Sequence, residues 1–340
     1  MFENPANWLI AGGLGLGVIF GLVVRQFRMC LVAAVSNATL VKDYRYLLAF
    51  ATAALVAITG AQLLEINSVV ELSKAGYRNG TLDLIGVITG GLMFGIGATL
   101  AGGDATRVLI LAGQGSKAGW VALFFFAIFA SVAQFGLLEK IRISSMTATS
   151  IHLSGGDAGI AEMFSISKWI VLAVVDIALI GFIASKWKQH ADIKLLLAGA
   201  VLGATVIGAW YTSGVLAFDD FNPKAPSGIS VSGPMSRVGN LLVAGGYPAM
   251  SLAIAFVIGV IAISFIMAVI FRQFAFTPVK TSPAIIALGG ALMGIGGTFA
   301  YGCNIGQGFS GLSTLSLESV IAVIAMIAGI HIATRWLEKG

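Results

Sequence analysis

Long apolar runs separated by short polar segments dominate the pattern of this chain. A membrane-spanning helix needs roughly 17–25 mostly apolar residues, and nine such runs occur, at 7–25, 45–64, 84–101, 117–138, 168–186, 194–213, 247–271, 284–300 and 318–336. Four further apolar stretches are too short and too interrupted by glycine and serine to cross a bilayer, at 29–40, 103–114, 233–243 and 302–314. Backbone that breaks at membrane depth must be buried in protein or line a wet cavity. The pattern therefore predicts nine transmembrane helices and four short re-entrant helices.

The composition agrees with this pattern and removes several classes of protein. Of the 340 residues, 58% are hydrophobic and 10% are charged, and the mean hydropathy is +0.95. A soluble globular chain carries about 25% charged residues, so this chain lacks the charge to solvate its own surface. Soluble enzymes, nucleic-acid-binding proteins and disordered chains are thereby excluded. We expect an all-α polytopic membrane protein whose surroundings are a lipid bilayer.

The basic residues predict how the chain is oriented. Nine spans put the two termini on opposite sides of the membrane. With the N-terminus outside, the inner loops hold thirteen of the 20 lysine and arginine residues and the outer loops hold seven. Because basic residues favour cytoplasmic loops, we expect the N-terminus outside and the C-terminus in the cytoplasm. The first two re-entrant stretches then dip from the cytoplasm and the last two from outside.

A short motif occurs twice and predicts an internal repeat. GIGATLAGGD at 95–104 matches GIGGTFAYGC at 294–303 without a gap, and a pair of glycines precedes each at the same offset. We expect two copies, at 7–138 and 194–336, joined by a connector helix at 168–186. Since five crossings separate the copies, the second is inverted relative to the first. Inverted repeats with broken segments at matching positions are typical of transporters with a central substrate site; the alternative is chance similarity within a glycine-rich chain.

Glycine makes up 44 of the residues, and its spacing predicts close helix packing. On several spans glycines recur four residues apart, so they lie on one helix face and let helix backbones approach. Such sets are Gly13/Gly17/Gly21, Gly86/Gly90, Gly91/Gly95, Gly199/Gly203 and Gly290/Gly294. Glycines in the broken stretches instead let the chain turn and expose N–H groups, which suit an anion at a half-helix N-terminus.

Two cysteines lie in broken stretches and are candidates for a substrate path. Cys303 stands in the glycine-bounded turn YGCNIGQG, beside the polar residues Asn304 and Gln307. Cys30 follows the basic segment RQFRM, in which Arg28 would attract anions. The two cysteines are far apart in sequence and form no CxxC, so neither a disulfide framework nor a thiolate metal cluster is expected. The alternative for each thiol is inert packing.

Asp104 occupies the motif position that Cys303 occupies in the second copy. A carboxylate within a membrane is a functional candidate, and Arg107, one helical turn later, is an available partner. A structural ion pair between the two is therefore the alternative. Arg25 is as well explained by the positive-inside rule as by a role in the path. Arg237 either draws anions to the outer mouth or is a solvated loop residue.

No metal or cofactor site is expected. The three histidines, His152, His190 and His331, fall in loops or at a span end and have no metal-ligand spacing. The sequence contains no zinc-protease, P-loop or Ser/His/Asp signature. A transporter is therefore favoured over an enzyme.

At these residues the chain resembles the YeeE/YedE family of membrane transporters for sulfur compounds. The most specific match is YGCNIGQGFSGLSTLSLES at 301–319, around Cys303. FGIGATLAGGDATRVLILAGQG at 94–115 resembles the family's central motif, and RQFRMC at 25–30 resembles its first cysteine segment. The likeness spans nearly the whole chain. It implies nine spans and four short helices in an hourglass shape, and uptake of thiosulfate into bacteria.

The resemblance also implies roles for single residues. In the family the cysteines hand the anion inward through S–H···S hydrogen bonds, so Cys303 resembles the outer-facing thiol and Cys30 an inner one. Asp104 departs from the family pattern, because thiosulfate-transporting members carry cysteine there. The LAGG-x-x-x-R-x-LILAG string is also similar to the branch linked to selenium metabolism, which has cysteine too. A small TusA-like sulfur carrier works beside some family members, which implies a soluble cytoplasmic partner.

The sequence therefore predicts a transporter of a small anionic sulfur substrate such as thiosulfate. Arginines, half-helix N-termini and neutral thiols would attract a small dianion without holding it tightly, and a conducting site must release what it binds. Two alternatives stay open: a carrier of selenium compounds or another oxyanion, and a membrane sulfurtransferase in which Cys303 or Cys30 takes sulfur as a persulfide for a soluble carrier. The expected path residues are Cys303, Cys30, Asp104, Asn304, Gln307, Arg107 and Arg28.

Overall fold

The computed structural model describes residues 5–219, 221–246, 249–279 and 282–339. That part of the chain forms the helices α1 Pro5–Phe27, α2 Leu31–Leu40, α3 Arg45–Ile66, α4 Leu84–Leu100, α5 Ala105–Gly113, α6 Lys117–Phe135, α7 Glu139–Thr149, α8 Ile160–Met163, α9 Lys168–His190, α10 Ile193–Tyr211, α11 Ser232–Ala244, α12 Leu252–Ile270, α13 Pro283–Phe299 and α14 Leu317–Lys339. It also forms two π-helical turns, Thr212–Leu216 and Gly306–Gly311, two short 3-10 turns, Leu72–Lys74 and Gly76–Arg78, and two strands, β1 Asn79–Leu82 and β2 Ile151–Asp157.

The protein is an all-α polytopic membrane protein, as the apolar pattern predicts. By length and composition, eight helical stretches of the described chain can cross a membrane. The predicted span 284–300 forms α13, a shorter apolar helix of 17 residues. The predicted run 247–271 begins outside the described residues, and its helix starts at Leu252. The number of nine crossings stays a prediction.

Helical turns occupy all four broken stretches. Three of them contain the α-helices α2, α5 and α11. The fourth, 302–314, forms the π-helical turn Gly306–Gly311 and not the expected regular half-helix. Three of the six residues in this turn are glycines, which lower the cost of leaving α-helical geometry. A π-helical turn is often found at a functional site.

The segment between the fourth and fifth predicted spans contains structure that hydropathy does not indicate. It forms α7 and α8, and between them β2 pairs antiparallel with β1. Thr81 lies opposite His152, and Leu82 lies opposite Ile151. His152 therefore lies on a strand and not in a loop as expected. No periodic pattern marks these strands, because they are short and contain glycine and because their pairing joins segments far apart in the chain.

Glycines bring several pairs of helices into backbone contact. α1 packs on α12 and α10 on α3, while α4 packs on α14 and α13 on α6. In each pair a Cβ on the glycine would collide with the neighbouring helix, so larger residues would force the helices apart. The glycines are Gly13 and Gly17 of α1, Gly199 and Gly203 of α10, Gly91 and Gly95 of α4, and Gly290 and Gly294 of α13.

These helix contacts are the same for the two halves of the chain when each helix is exchanged for its counterpart in the other half. Exchanging α1 with α10, α3 with α12, α4 with α13 and α6 with α14 turns each contact into its counterpart. The contact between α4 and α13 is turned into itself. Such pairing is expected of two structural copies, although the division into 7–138, 168–186 and 194–336 stays a prediction. The connector α9 packs mainly on α3, and only 11% of its apolar stretch is buried inside the protein. It therefore lies at the edge of the bundle.

Candidate functional site

Two turns of similar backbone shape follow α4 and α13. In the Asp104 turn, residues 101–104, Gly102 has a φ of +81° and Asp104 caps α5. In the Cys303 turn, residues 300–303, Tyr301 has a φ of +54° and Cys303 follows two residues later. A non-glycine residue in the left-handed region costs roughly 1–2 kcal/mol. The Tyr301 side chain is therefore kept for a reason other than backbone shape.

The Asp104 carboxylate is 1% exposed and is surrounded by hydrogen-bond donors. Its Oδ1 accepts the backbone N–H of Arg107 at 2.9 Å, and its Oδ2 accepts the backbone N–H of Leu31 at 2.6 Å. The Asn304 Nδ2 group donates to Oδ2 at 3.1 Å. The Cys30 Sγ lies beside the same turn, 3.8 Å from a Cβ added to Gly103. One side chain thus joins α2, α5 and the segment that follows the Cys303 turn.

The N-termini of α2 and α5 converge on this carboxylate. Cys30 is the N-cap of α2 and makes no side-chain cap bond to its own helix, so Asp104 supplies the acceptor for both helices. Helix N-termini carry partial positive charge and favour an anion. Arg107 contributes its backbone N–H, and no ion pair among the described residues joins its guanidinium to Asp104. The structural ion pair that was the alternative is therefore not formed.

The Cys303 turn carries a thiol that is closed off from solvent. Cys303 is 0% exposed and belongs to the main hydrophobic core. Gly306, three residues further along the chain, lies against the phenol of Tyr77. The next residue, Asn304, bonds Asp104 through Nδ2, while its buried Oδ1 has no hydrogen-bond partner in the described part of the chain. Four of the expected path residues therefore form one buried series: Cys303, Asn304, Asp104 and Cys30.

Gln307, another expected path residue, is engaged by protein partners. Its Nε2 donates to the Ala300 carbonyl at 2.7 Å, and its Oε1 accepts the Ser319 hydroxyl at 2.5 Å. Since both ends of the amide are used, the geometry favours a brace between the Cys303 turn and α14 over a ligand for substrate.

The remaining arginines differ in their surroundings. Arg28 is exposed and has a φ of +52° in the turn between α1 and α2. Arg25 donates to Gln273 at 2.8 Å and lies over the Phe271 ring, which fits an anchor. Arg237 belongs to α11 and lines a cavity, so it is not a loop residue.

Two adjoining cavities lie next to the Cys303 turn, and we call them together the vestibule. Their volumes are about 320 and about 160 Å³. Ser230, Gly233 and Tyr301 line both of them, and Arg237 lines the larger. Hydroxyl groups and one guanidinium at a polar cavity are suited to a small anion. The Tyr301 side chain thus lines the vestibule, which accounts for a tyrosine at a left-handed position.

A buried cluster of ion pairs lies near the vestibule. Arg78 pairs with Glu65 at 3.0 Å, Asp157 at 2.5 Å and Glu162 at 2.6 Å. Lys168 joins Glu65 at 2.8 Å and Glu162 at 3.0 Å. Burial opposes ionisation of Glu162, but Arg78 and Lys168 outweigh that effect and lower the pKa of its carboxyl. The cluster ties the ends of α3 and β2 to α8 and α9.

Sequence reasoning missed both this ion-pair cluster and Tyr77. They lie in the polar segments between spans, which the hydropathy pattern treats as loops. One signal was available, because charged residues beside apolar runs need partners and this chain has few charges. The pairing itself joins Arg78 to Asp157 across 79 residues and follows no local spacing.

Comparison with known proteins identifies the family of this chain. The family model described as sulphur transport matches residues 27–332, a range that includes Cys30, Asp104 and Cys303. The thiosulfate transporter TsuA of Escherichia coli strain K12 is 26% identical over 350 residues, covering 97% of this chain and 94% of that protein. The thiosulfate transporter TsuA of Spirochaeta thermophila is 27% identical over 337 residues, covering 91% and 93% respectively.

Proposed function

This chain belongs to the sulphur transport family, and from that premise we propose that it carries thiosulfate, or a similar small sulfur oxyanion, across the bacterial inner membrane. Both similar proteins are thiosulfate transporters by name and align with more than nine-tenths of the chain. The observation that carries the proposal is the buried series Cys303, Asn304, Asp104 and Cys30, which begins beside the vestibule and ends at the N-termini of α2 and α5.

In the proposed path the anion enters the vestibule, passes the Cys303 thiol and then reaches Asp104 and Cys30. Thiosulfate is a dianion with a soft terminal sulfur. A neutral thiol is a weak S–H donor, so it guides such an anion without trapping it. Fixed positive charges at this depth would bind a dianion too tightly for release.

Asp104 is the main electrostatic obstacle on this path. An ionised carboxylate repels a unit negative charge about 5 Å away by roughly 3 kcal/mol at an effective dielectric constant of about 20, and a dianion by roughly 6 kcal/mol. Such a barrier slows passage by about four orders of magnitude. We therefore infer that the anion passes while Asp104 is protonated.

Protonation of Asp104 changes two donors at once. The carboxylic acid gains an O–H donor at the position where thiosulfate-transporting members of the family carry a thiol. The nearby Cys30 thiol no longer faces a charged acceptor, so its S–H is free to bond the passing anion. Uptake is accordingly expected to rise as the pH falls.

In this proposal the vestibule faces the periplasm and Asp104 lies toward the cytoplasm. The excess of basic residues on the expected inner loops supports that orientation. The exchangeable helix contacts support two inverted repeats, at 7–138 and 194–336, which would bring the two turns to the centre of the protein from opposite sides. A TusA-like sulfur carrier at the cytoplasmic face stays a prediction.

Uptake by the purified protein in sealed liposomes tests the proposed function. With radiolabelled thiosulfate outside, we expect saturable accumulation of intact thiosulfate in the lumen. The Cys30→Ala/Cys303→Ala double variant, reconstituted at the same density, is the control and should accumulate none. Label left covalently on a cysteine with none in the lumen would identify a sulfurtransferase instead. Stronger uptake of a selenium oxyanion than of thiosulfate would identify the other alternative.

A further inference from the structure

The vestibule ends before it reaches the Cys303 thiol. Tyr77 and Ser230 both line the larger cavity, whereas Cys303 is not among the residues that line either cavity. Gly306, three residues after Cys303, lies against the Tyr77 hydroxyl. Tyr77 therefore contacts both the cavity and the turn that follows the buried thiol.

The Tyr77 and Ser230 hydroxyl groups lie against the same glycine. A Cβ added to Gly306 would lie 3.2 Å from the Tyr77 Oη and 3.0 Å from the Ser230 Oγ, so both hydroxyls lie against the Gly306 backbone. Gly306 begins the π-helical turn that follows Cys303. The Tyr77 and Ser230 hydroxyls, which we call the hydroxyl pair, thus cover the chain just after Cys303.

Fixed elements hold both hydroxyl groups in place. The Tyr77 ring meets the edge of Trp210, with centroids 6.4 Å apart, and its neighbour Arg78 belongs to the buried ion-pair cluster. On the other side, the carbonyl next to Ser230, that of Ile229, accepts the Ser310 hydroxyl at 2.8 Å. The two hydroxyls are therefore held in position at the edge of the cavity.

We propose that Tyr77 and Ser230 form a gate between the vestibule and Cys303, and that these two hydroxyls are the first ligands of the transported oxyanion. This inference rests on the proposed function. An oxygen of the anion accepts the Tyr77 O–H, since hydrogen bonds to a charged acceptor are the strong ones. The substrate class is a small sulfur oxyanion whose oxygens accept these hydroxyls while its terminal sulfur faces the Cys303 thiol.

A Tyr77→Phe variant tests the ligand role, because it removes the O–H and keeps the ring. We expect the KM for thiosulfate uptake to rise about tenfold with little change in turnover, as for the loss of a hydrogen bond to a charged group. Tyr211→Phe is the matched control, since Tyr211 ends α10 and is exposed; its KM should not change. A Tyr77→Phe KM within twofold of wild type would overturn the ligand role.

Chemical modification of Cys303 tests the gate without any transport. In a Cys30→Ala background Cys303 is the only cysteine of the chain. We expect Tyr77→Ala to speed its modification by a membrane-impermeant thiol reagent at least about tenfold, while Tyr211→Phe leaves the rate unchanged. An unchanged rate in a Tyr77→Ala protein that still melts cooperatively would overturn the gate. Absence of thiosulfate uptake by the wild type would instead overturn the proposed function.

Discussion

The Asp104 turn and the Cys303 turn follow the same backbone course and carry opposite chemistry. Each begins where a long helix ends and contains one left-handed residue, Gly102 or Tyr301. Asp104 carries a carboxylate with donors on both oxygens, and a regular helix follows it. Cys303 carries a neutral thiol in the hydrophobic core, and a π-helical turn follows it. The backbone therefore fixes where a group lies, and groups brought from elsewhere in the chain decide its chemistry.

The surroundings of the two turns differ as much as their side chains. Beside the Cys303 turn lie the vestibule, the hydroxyl pair and the ion-pair cluster that holds the Tyr77 segment. Beside the Asp104 turn lie two helix N-termini and the Asn304 amide. The Cys303 turn lies beside the vestibule, whose Tyr77 segment is held by ion pairs. The Asp104 turn is closed by the hydrogen-bonded carboxylate of Asp104 itself. Each of these differences can be removed by substitution.

The largest expected effect is the loss of stability when the ion-pair cluster around Arg78 is disrupted. Arg78→Ala leaves Glu65, Asp157 and Glu162 with Lys168 as their remaining cation, and breaking a buried pair such as Arg78–Glu65 costs roughly 3–5 kcal/mol. We expect a clear fall in the melting temperature in detergent. Arg335→Ala is the control, because the Arg335–Glu338 pair is about half exposed; it should change stability by less than about 1 kcal/mol. Equal melting temperatures for the two variants would contradict the role of the cluster.

The same cluster should make the protein sensitive to acid. The pKa of Glu162 is lowered by Arg78 and Lys168 in the folded protein. A lowered folded pKa gives stability that is present above the unfolded value of about 4.5 and is lost as the pH falls through the folded value. Melting curves from pH 6 down to pH 3 should show this loss in wild type and a smaller one in Glu162→Gln.

Removal of the thiol from the Cys303 turn should abolish uptake with little loss of stability. Cys303→Ala deletes one buried sulfur, which costs far less than the roughly 2–5 kcal/mol of a large buried truncation. We expect thiosulfate accumulation to fall to the level of empty liposomes while the melting temperature changes by a few degrees. Wild-type uptake by a well-folded Cys303→Ala protein would rule out a path along this thiol.

Asp104→Cys makes the two turns chemically alike. It removes the repulsion of an ionised carboxylate, so we expect uptake equal to or above wild type. Wild-type uptake should be about tenfold or more higher at pH 5 than at pH 8, since only the protonated form passes the anion, whereas the variant should show a flatter profile. The measurement is the initial rate across pH 5 to 8. Loss of uptake at every pH would assign the carboxylate a separate duty in coupling or selectivity, and thiosulfate would no longer be the default substrate.

The smallest expected effect concerns the left-handed residue of the Asp104 turn. A Cβ at Gly102 meets no atom within 4 Å, so Gly102→Ala adds only backbone strain, roughly 1 kcal/mol. The melting temperature should drop slightly and uptake should stay within twofold of wild type. A loss of several kcal/mol would mean that the two turns do not tolerate side chains alike, although Tyr301 occupies the corresponding position in the other.

Hydropathy and glycine spacing predicted most of the fold, because a bilayer demands long apolar helices and close helix contacts demand small residues. The glycines of α1 and α10 lie where their spacing suggested, against α12 and α3. The strand pairing of residues 79–82 with 151–157 could not be predicted, since it depends on two polar segments that meet only after the helices have packed.

The candidate site was predicted in part for a similar reason. Cys303, Cys30, Asp104 and Asn304 stand in motifs and were identified as candidates. Their mutual contacts, such as Asn304 with Asp104 across 200 residues, follow from tertiary packing and not from local spacing. Tyr77 and Ser230 stand in no motif, so only the cavity that they line identifies them.

The exchangeable helix contacts have a consequence for biosynthesis. α1 and α3 bury their closest faces against α12 and α10, and α4 and α6 against α14 and α13, so each half of the chain finds its main partners in the other half. When the ribosome has made only the first six helices, their glycine-lined grooves face lipid or one another with no matching surface. We therefore expect the helix packing of the nascent chain to be completed only after its last helix has been inserted. Expressed separately, either half should be unstable, and co-expression of both should restore the protein.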